Sequence, residues 1–345
     1  MGHTTWVFVC IDGWLFKNLS CTTFSRRCRC GHYYRAGYGF YKFIDSKKIF
    51  QIIFVYIAIS KVLLLLFNQN LFMVFKNCIS IAFVFCFFSM ASAQDTTQQV
   101  VAGRVNSKEQ TNKPYIILIS ADGFRADLAD KYQAVNLLRL RKQGVAASYM
   151  QPSFPSVTFP NHYTIITGLY PSHHGLVDNS FFDESRDTSY SMGNKKQVAD
   201  PYWYGGTPLW VLAEKQHMLS ASFYWVASES NIQDTRPSYY YIYNDKIGID
   251  SRIETVKNWL LLPEDKRPHL ITFYFPEVDH AEHLYGPDSK ETEAAVHFVD
   301  ESVGKLNAMA ASLHLPINFV FVSDHGMTVV DNKNTLNFPS SVDPS

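Results

Sequence analysis

Three aspartates with recurring surroundings carry the most chemistry in this 345-residue chain. Asp122 follows the apolar run 115–120 (YIILIS), Asp279 follows 269–275 (HLITFYF), and Asp324 follows 318–322 (NFVFV). Two of these places also supply an imidazole, His325 directly after Asp324 and His283 four residues after Asp279. If the turn at 279–283 is helical, Asp279 and His283 share one face and can grip one ion. A fourth group is Thr158, held in QPSFPSVTFPNH between Pro155 and Pro160 and just ahead of a helical pattern from Asn161 to Gly168. A hydroxyl near a helix start meets the positive end of the helix dipole, which favours an alkoxide or a bound phosphate. Carboxylates and imidazoles without thiolates suit Zn²⁺ or another divalent transition ion. Two such ions beside an activated hydroxyl suit in-line phosphoryl transfer.

Each motif alone has a plainer explanation. Taken alone, Asp122 reads more readily as a cap for the helix expected through Leu137 to Leu140, and Thr158 as an ordinary N-cap. His173 and His174 read as loop or packing residues, because adjacent side chains diverge. The combination carries the weight, since random loops would rarely place an Asp beyond three separate strand ends.

The elements that must position these groups follow from the alternation of apolar runs with helical stretches. From Lys113 onward strands are expected at 115–120, 219–225, 269–275 and 319–323. Helices are expected from Thr207-Pro208 to Lys215, with Thr207 as cap and Pro208 at the first position, and over 252–262 and 291–313. That pattern predicts an α/β fold, a largely parallel sheet covered by helices on both faces. In such sheets ligands bind beyond the carboxyl ends of the strands, so the three aspartates are expected on one rim. The aromatic-rich region 225–244 reads either as core or as a platform for a flat ligand.

Composition narrows the partners. Lys+Arg and Asp+Glu balance at 31 each, so no nucleic-acid or acidic-lipid surface is expected. No stable protein partner is expected either. All six cysteines precede residue 94, which leaves the later chain without a thiolate ligand, a cysteine nucleophile or a disulfide. Cys28, Cys30 and His32 lack the second pair that a metal knuckle needs. Residues 73–93 (MVFKNCISIAFVFCFFSMASA) have the layout of a secretory signal peptide cleaved before Gln94. Residues 1–72 are then expected to be an upstream extension outside the fold, 94–112 a flexible polar leader, and 113–345 the catalytic domain. The rival reading is a membrane anchor over 49–67, which Lys61 interrupts. Export to the periplasm or the medium is the expectation.

The stretch from about Lys113 resembles the ectonucleotide pyrophosphatase/phosphodiesterase family of the alkaline phosphatase superfamily. The likeness rests on ADGFR at 121–125, FPSVTFPN at 154–161, PEVD at 276–279 with His283, and SDHGM at 323–327. It implies an alkaline-phosphatase-like fold and hydrolysis of phosphodiester or pyrophosphate bonds through a phospho-threonine intermediate. It implies Thr158 as nucleophile, and Asp122, Thr158, Asp324 and His325 as ligands of one zinc. Asp279 and His283 would serve a second zinc, and Asn179 a phosphate oxygen. Phe159 and Tyr243 match rings that sandwich a nucleotide base, with Trp225, Glu229 and Tyr274 nearby. Members acting on choline-containing lipids share the metal site, so a lipid phosphodiester stays open as substrate. Val278 departs from the proline usual before the aspartate. The family's second zinc takes a further histidine at a position beyond Ser345, and neither His297 nor His314 matches it. The chain is therefore expected to be truncated at its C-terminus, with the second site incomplete. Two alternatives stand beside this reading: a phosphomonoesterase on the same scaffold, and a metal-binding fragment without turnover. A sulfatase is disfavoured by the absence of a Cys/Ser-x-Pro-x-Arg motif at Thr158.

Overall fold

The computed structural model describes residues 5–8, 55, 58–60, 98–331 and 333–334. The run 73–93 expected to be a signal peptide, the six cysteines and nearly all of 49–67 lie outside the described residues, and no described helix is long and apolar enough to cross a membrane. The chain divides into two compact units, Cys21–Asp95 and the remainder, Met1–Ser20 with Thr96–Ser345. Everything below belongs to the second of these.

Its centre is an eight-stranded sheet. In chain order the strands are β1 (Thr5–Phe8), β2 (Gln99–Val100), β3 (Tyr115–Ala121), β4 (Val145–Ala146), β7 (Ser220–Phe223), β8 (Tyr239–Tyr240), β9 (Leu270–Phe275) and β10 (Ile317–Val322). A separate hairpin supplies β5 (Ser180–Asp183) and β6 (Thr188–Ser191). The sheet order is β2-β8-β7-β9-β3-β10-β1-β4, and every neighbour pair is parallel except β2 with β8. The expected mostly parallel sheet is present. Thr5–Phe8, within the stretch expected outside the fold, runs between β10 and β4.

Alternation along β3 explains how both faces are covered. Ile117, Ile119 and Ala121 point into one core with Phe273, Phe275, Phe319 and Phe321. That core is closed by helices α1 (Val135–Gln143), α4 (Ile249–Leu260) and α6 (Lys290–Ser312), which contribute Leu137, Val256 and Val299. Leu118 and Val322 point the other way, towards α2 (Thr158–Thr167) and α3 (Leu209–Lys215), with Tyr163, Ile166, Trp210 and Val211. Each of these large side chains stabilises the fold by roughly 1.5–3 kcal/mol through removal from water.

Several local expectations change. The polar segment 98–112 is built into the fold rather than a flexible leader. Val100 pairs with Tyr239, Arg104 meets Glu214 at 3.1 Å, and Asn106 is buried. The Asn106 amide donates to the carbonyls of Glu264 and Arg267 and accepts from Leu219 N–H, so its polarity serves internal bonding. Helix α3 starts one residue later than expected, with Pro208 rather than Thr207 in the cap position. Asp122 caps no helix; Asp127 precedes the short helix that follows it. Nor is Thr158 an N-cap. It is the first helical residue, after Val157.

Where β3 ends, Gly123 has φ +72, a left-handed conformation that costs a side-chain-bearing residue about 1–3 kcal/mol. A Cβ there would also lie 2.9 Å from the Cα of Asp279. The missing side chain thus lets α5 (Glu277–Tyr285) approach, with Asp279 N–H donating to the Asp122 carbonyl at 3.1 Å. Gly123→Ala should therefore cost more stability in urea denaturation than Gly103→Ala, where φ is +83 and nothing lies within 4 Å. Equal losses would show that the close approach of α5 is not what excludes a side chain.

Candidate active site

The three aspartates stand beyond three adjacent strands, in the order β9-β3-β10. Ala121 pairs with Phe275 and Ser120 with Val322, so the strand ends are level. One rim is the direct consequence.

Asp122 and Asp324 are fully buried. Asp122 Oδ2 accepts from Tyr274 O–H at 2.5 Å, and Asp324 Oδ1 accepts from Gly123 N–H at 3.3 Å. Their other oxygens, with Asp279 Oδ1, have no hydrogen-bond partner. His325 bridges the group, its Nε2 3.2 Å from Asp324 Oδ2 and 3.4 Å from Asp122 Oδ1. The same nitrogen lies 3.4 Å from the Thr158 hydroxyl. Two Asp/His groups have ligand atoms within 4.8 Å of one another: Asp122, Asp279 and His325, and Asp122, His162 and Asp324.

Electrostatics reflect this crowding. Burial, then the neighbouring Asp324 charge, pushes the Asp122 carboxyl well up. Asp279 is also raised by burial, with His325 and His283 offsetting part of it. Burial works against charge on Asp324 too, but His162 and His325 outweigh it and hold that carboxyl below the usual range. Three carboxylates with orphaned buried oxygens form a cation-deficient cluster, and all-oxygen-and-nitrogen donors fit a divalent transition ion.

His283 stands apart from that cluster. Its Nε2 is 3.4 Å from Asp279 Oδ1, as the helical spacing predicts, but its side chain is 68% exposed. Among the described residues it joins neither close group. Asn179 sits beside the threonine, since its Oδ1 accepts from Phe159 N–H at 2.9 Å.

A cavity of about 450 Å³ opens onto Asp122, Thr158 and Asp279. Phe159, Trp225, Glu229, Tyr243 and Tyr274 line it, so the expected pocket residues come together. Tyr274 does double service as the hydrogen-bond partner of Asp122. Aromatic packing and pocket divide the 225–244 region, with Tyr239 in the core and Tyr243 facing the cavity. Backbone strain marks the loop carrying Trp225, because Tyr224 and Ala227 both take left-handed φ values, 62° and 71°.

Two residues escape the sequence reading. His162, fully buried, lies one helical turn after Thr158 and reaches Asp324; the i, i+4 spacing from Thr158 is the signal that points to it. Glu282, three residues after Asp279, is buried with neither carboxyl oxygen hydrogen-bonded.

The fold and this rim define an α/β protein with a candidate metal centre beside an aromatic cavity. Residues 116–343 match the type I phosphodiesterase / nucleotide pyrophosphatase family, and the chain belongs to it. It is 40% identical over 218 residues to human ectonucleotide pyrophosphatase/phosphodiesterase family member 1, covering 62% of this chain and 24% of that protein. A pyrophosphatase/phosphodiesterase of Schizosaccharomyces pombe is 36% identical over 240 residues, 69% of this chain and 50% of its own length. Among solved structures, murine ectonucleotide pyrophosphatase/phosphodiesterase 5 superposes with a TM-score of 0.61 and 29% identity, over 67% of this chain and 62% of that one. An inactive threonine-to-alanine variant of that protein, in complex with AMP, matches equally well. This chain spans about a quarter of the length of the human relative.

Glu282 yields a measurable pH effect. Burial raises its carboxyl to about 8, with Arg125 pulling the other way. The folded chain therefore holds a proton that the unfolded chain releases near pH 4.3, and stability falls as pH rises from about 5 to about 8. In chelator-treated protein, Glu282→Gln should lessen the fall in thermal stability across that window, Asp122 and Asp279 supplying what remains, and be the more stable form at pH 8. A parallel decline in both proteins would rule out Glu282 as its source.

Proposed function

We propose that the chain is the catalytic part of a metal-dependent hydrolase of phosphodiester or pyrophosphate bonds in nucleotides, working through a phospho-threonine intermediate. The observation that carries this reading is the Thr158 hydroxyl at a helix start, 3.4 Å from His325 Nε2 and facing the same cavity as Asp122 and Asp279. Asp122, Thr158, Asp324 and His325 would hold one zinc, and Asp279 with His283 offers two ligands to a second. Cations bound there supply the positive charge that lowers the pKa of a hydroxyl and neutralises phosphoryl oxygens.

The protein groups do the rest. Thr158 Oγ1 forms a bond to phosphorus while the bond to the leaving oxygen breaks, and water then cleaves the threonine phosphate. The positive end of α2 favours both the alkoxide and the phosphate. Phe159 N–H occupies Asn179 Oδ1, which turns the Asn179 amide nitrogen into the free donor for a non-bridging oxygen. Phe159 and Tyr243 offer faces for a base, each stack contributing about 1–3 kcal/mol. Tyr243 stays neutral, its phenol pushed up to about 12 by burial. Glu229, raised by burial, stands in the same cavity as a polar contact for the base. The AMP bound to the murine relative supports a nucleotide over a lipid phosphodiester. The aromatic cavity favours a diester with a flat organic group over a simple monoester.

Export is part of the same proposal. It rests on the layout of residues 73–93 and on the ectoenzyme names of the relatives. N-terminal sequencing of protein secreted by an expressing host should begin at Gln94, so that the exported form lacks strand β1 (Thr5–Phe8) between β10 and β4; a start upstream of residue 73 would contradict it.

Thr158→Ala should reduce hydrolysis of a chromogenic phosphodiester by at least about a thousandfold, the scale expected for a lost nucleophile, with melting temperature and zinc content retained. Surviving activity would refute the nucleophile assignment. In the wild type, hydrolysis of the diester should outrun that of the matching monoester; the reverse ratio would favour a phosphomonoesterase. Metal bound without turnover of either ester would instead support an inert fragment.

A further inference from the structure

His162 belongs to no assigned ligand set, yet it is among the most constrained side chains at the site. It follows Thr158 by four residues on α2, so both lie on one helix face. Its Nδ1 is 2.9 Å from the Thr158 carbonyl. A carbonyl only accepts, so Nδ1 carries a hydrogen. The same nitrogen is 3.1 Å from Asp324 Oδ2, one of the orphaned buried oxygens. At the other end of the ring Nε2 lies 2.9 Å from Ser120 Oγ, on β3. Trp225 Nε1–H donates to the His162 carbonyl at 3.1 Å. The Trp225 and Tyr274 rings meet the imidazole edge-on, with centroids 5.4 and 5.2 Å away.

Proximity to Asp122 and Asp324 gives His162 the look of a metal ligand. Its hydrogen bonds argue otherwise. Nδ1 carries its hydrogen towards the Thr158 carbonyl and the Nε2 lone pair faces the Ser120 hydroxyl, so neither nitrogen is free to ligate. We propose that His162 is a positioning residue, joining the Asp324 carboxylate to the first turn of α2 and thereby setting the cation affinity of the site. This rests on the reading that Thr158 and Asp324 hold the cation. The ring ties three elements together: β3 through Ser120, the end of β10 through Asp324, and α2 through its own backbone and Thr158. Outer-shell partners of ligating carboxylates affect metal binding in this way.

The test uses the full chain, with zinc affinity measured by competition against a chromophoric chelator and circular-dichroism melting recorded on each sample. His162→Phe fills the space but removes both nitrogens. His162→Asn returns an N–H close to the Nδ1 position, whereas His162→Gln carries its amide towards the Nε2 end. Phe and Gln should weaken the tightest zinc site by about 10–100-fold, and Asn should recover most of the loss. If the Phe variant does not fold, the contrast between Asn and Gln decides the outcome. Wild-type affinity in all variants, or equal loss in Asn and Phe, would overturn the positioning role. Asp324→Asn separates the two levels of the argument. Loss of zinc in that variant with intact binding in the His162 variants defeats only this inference. Unchanged zinc binding in Asp324→Asn defeats the metal-site reading beneath it.

Discussion

The crowding of three carboxylates on adjacent strand ends, Asp122 and Asp324 buried and Asp279 half-buried, is the constraint around which the rest of the site is arranged. Neighbouring strands lie about 4.7–4.9 Å apart, so level strands β9, β3 and β10 bring Asp279, Asp122 and Asp324 into mutual repulsion. An unpaired ionised carboxylate out of water costs several kcal/mol. Part of that cost is met by the Tyr274 hydroxyl, the Gly123 amide and the imidazoles of His162 and His325. One oxygen on each aspartate still lacks a hydrogen bond, and only imidazole nitrogens 3.1–3.4 Å away stand beside those atoms. These oxygens are what make the rim receptive to a cation.

The two faces of the sheet divide the labour of stability and chemistry. On the face covered by α1, α4 and α6, buried isoleucine, valine and phenylalanine side chains form a continuous apolar layer. The opposite face has polar residues pointing towards the site. Ser120 meets His162, and Thr272 donates to Ser222, which donates to Ser228. Each buried hydroxyl there has a partner, as low-dielectric surroundings require. Both faces therefore carry apolar packing, and the second adds hydrogen-bonded polar side chains that orient the site.

Close backbone approach completes the arrangement. Gly123 admits α5 against the end of β3, and Gly326 leaves room for Arg125, whose guanidinium donates to the Met327 carbonyl at 2.6 Å. These contacts fix the turns after β3 and β10 relative to one another. The Trp225 loop adds a wall to the cavity at the expense of two left-handed residues. Strain of that kind persists only where surrounding contacts over-determine it, and here they include the Trp225 hydrogen bond to His162.

Much of the architecture is legible in local pattern. Apolar runs ending in aspartate at 122, 279 and 324 identify the strands and their active ends, because period and composition act over a few residues. The i, i+4 relation of Asp279 and His283 is legible for the same reason, as is the family through its motifs. Tertiary structure alone decides that β9, β3 and β10 are neighbours, since strand order depends on contacts between residues far apart in the chain. It alone turns polar Asn106 from an expected leader residue into a buried tie, and places Tyr274 on Asp122. It also separates His283, left exposed, from His162, drawn in beside Asp324. Residue type marks which side chains are able to bind a cation or move a proton. Only the packing of distant segments determines which of them lose water together, and that shared desolvation is what makes a site.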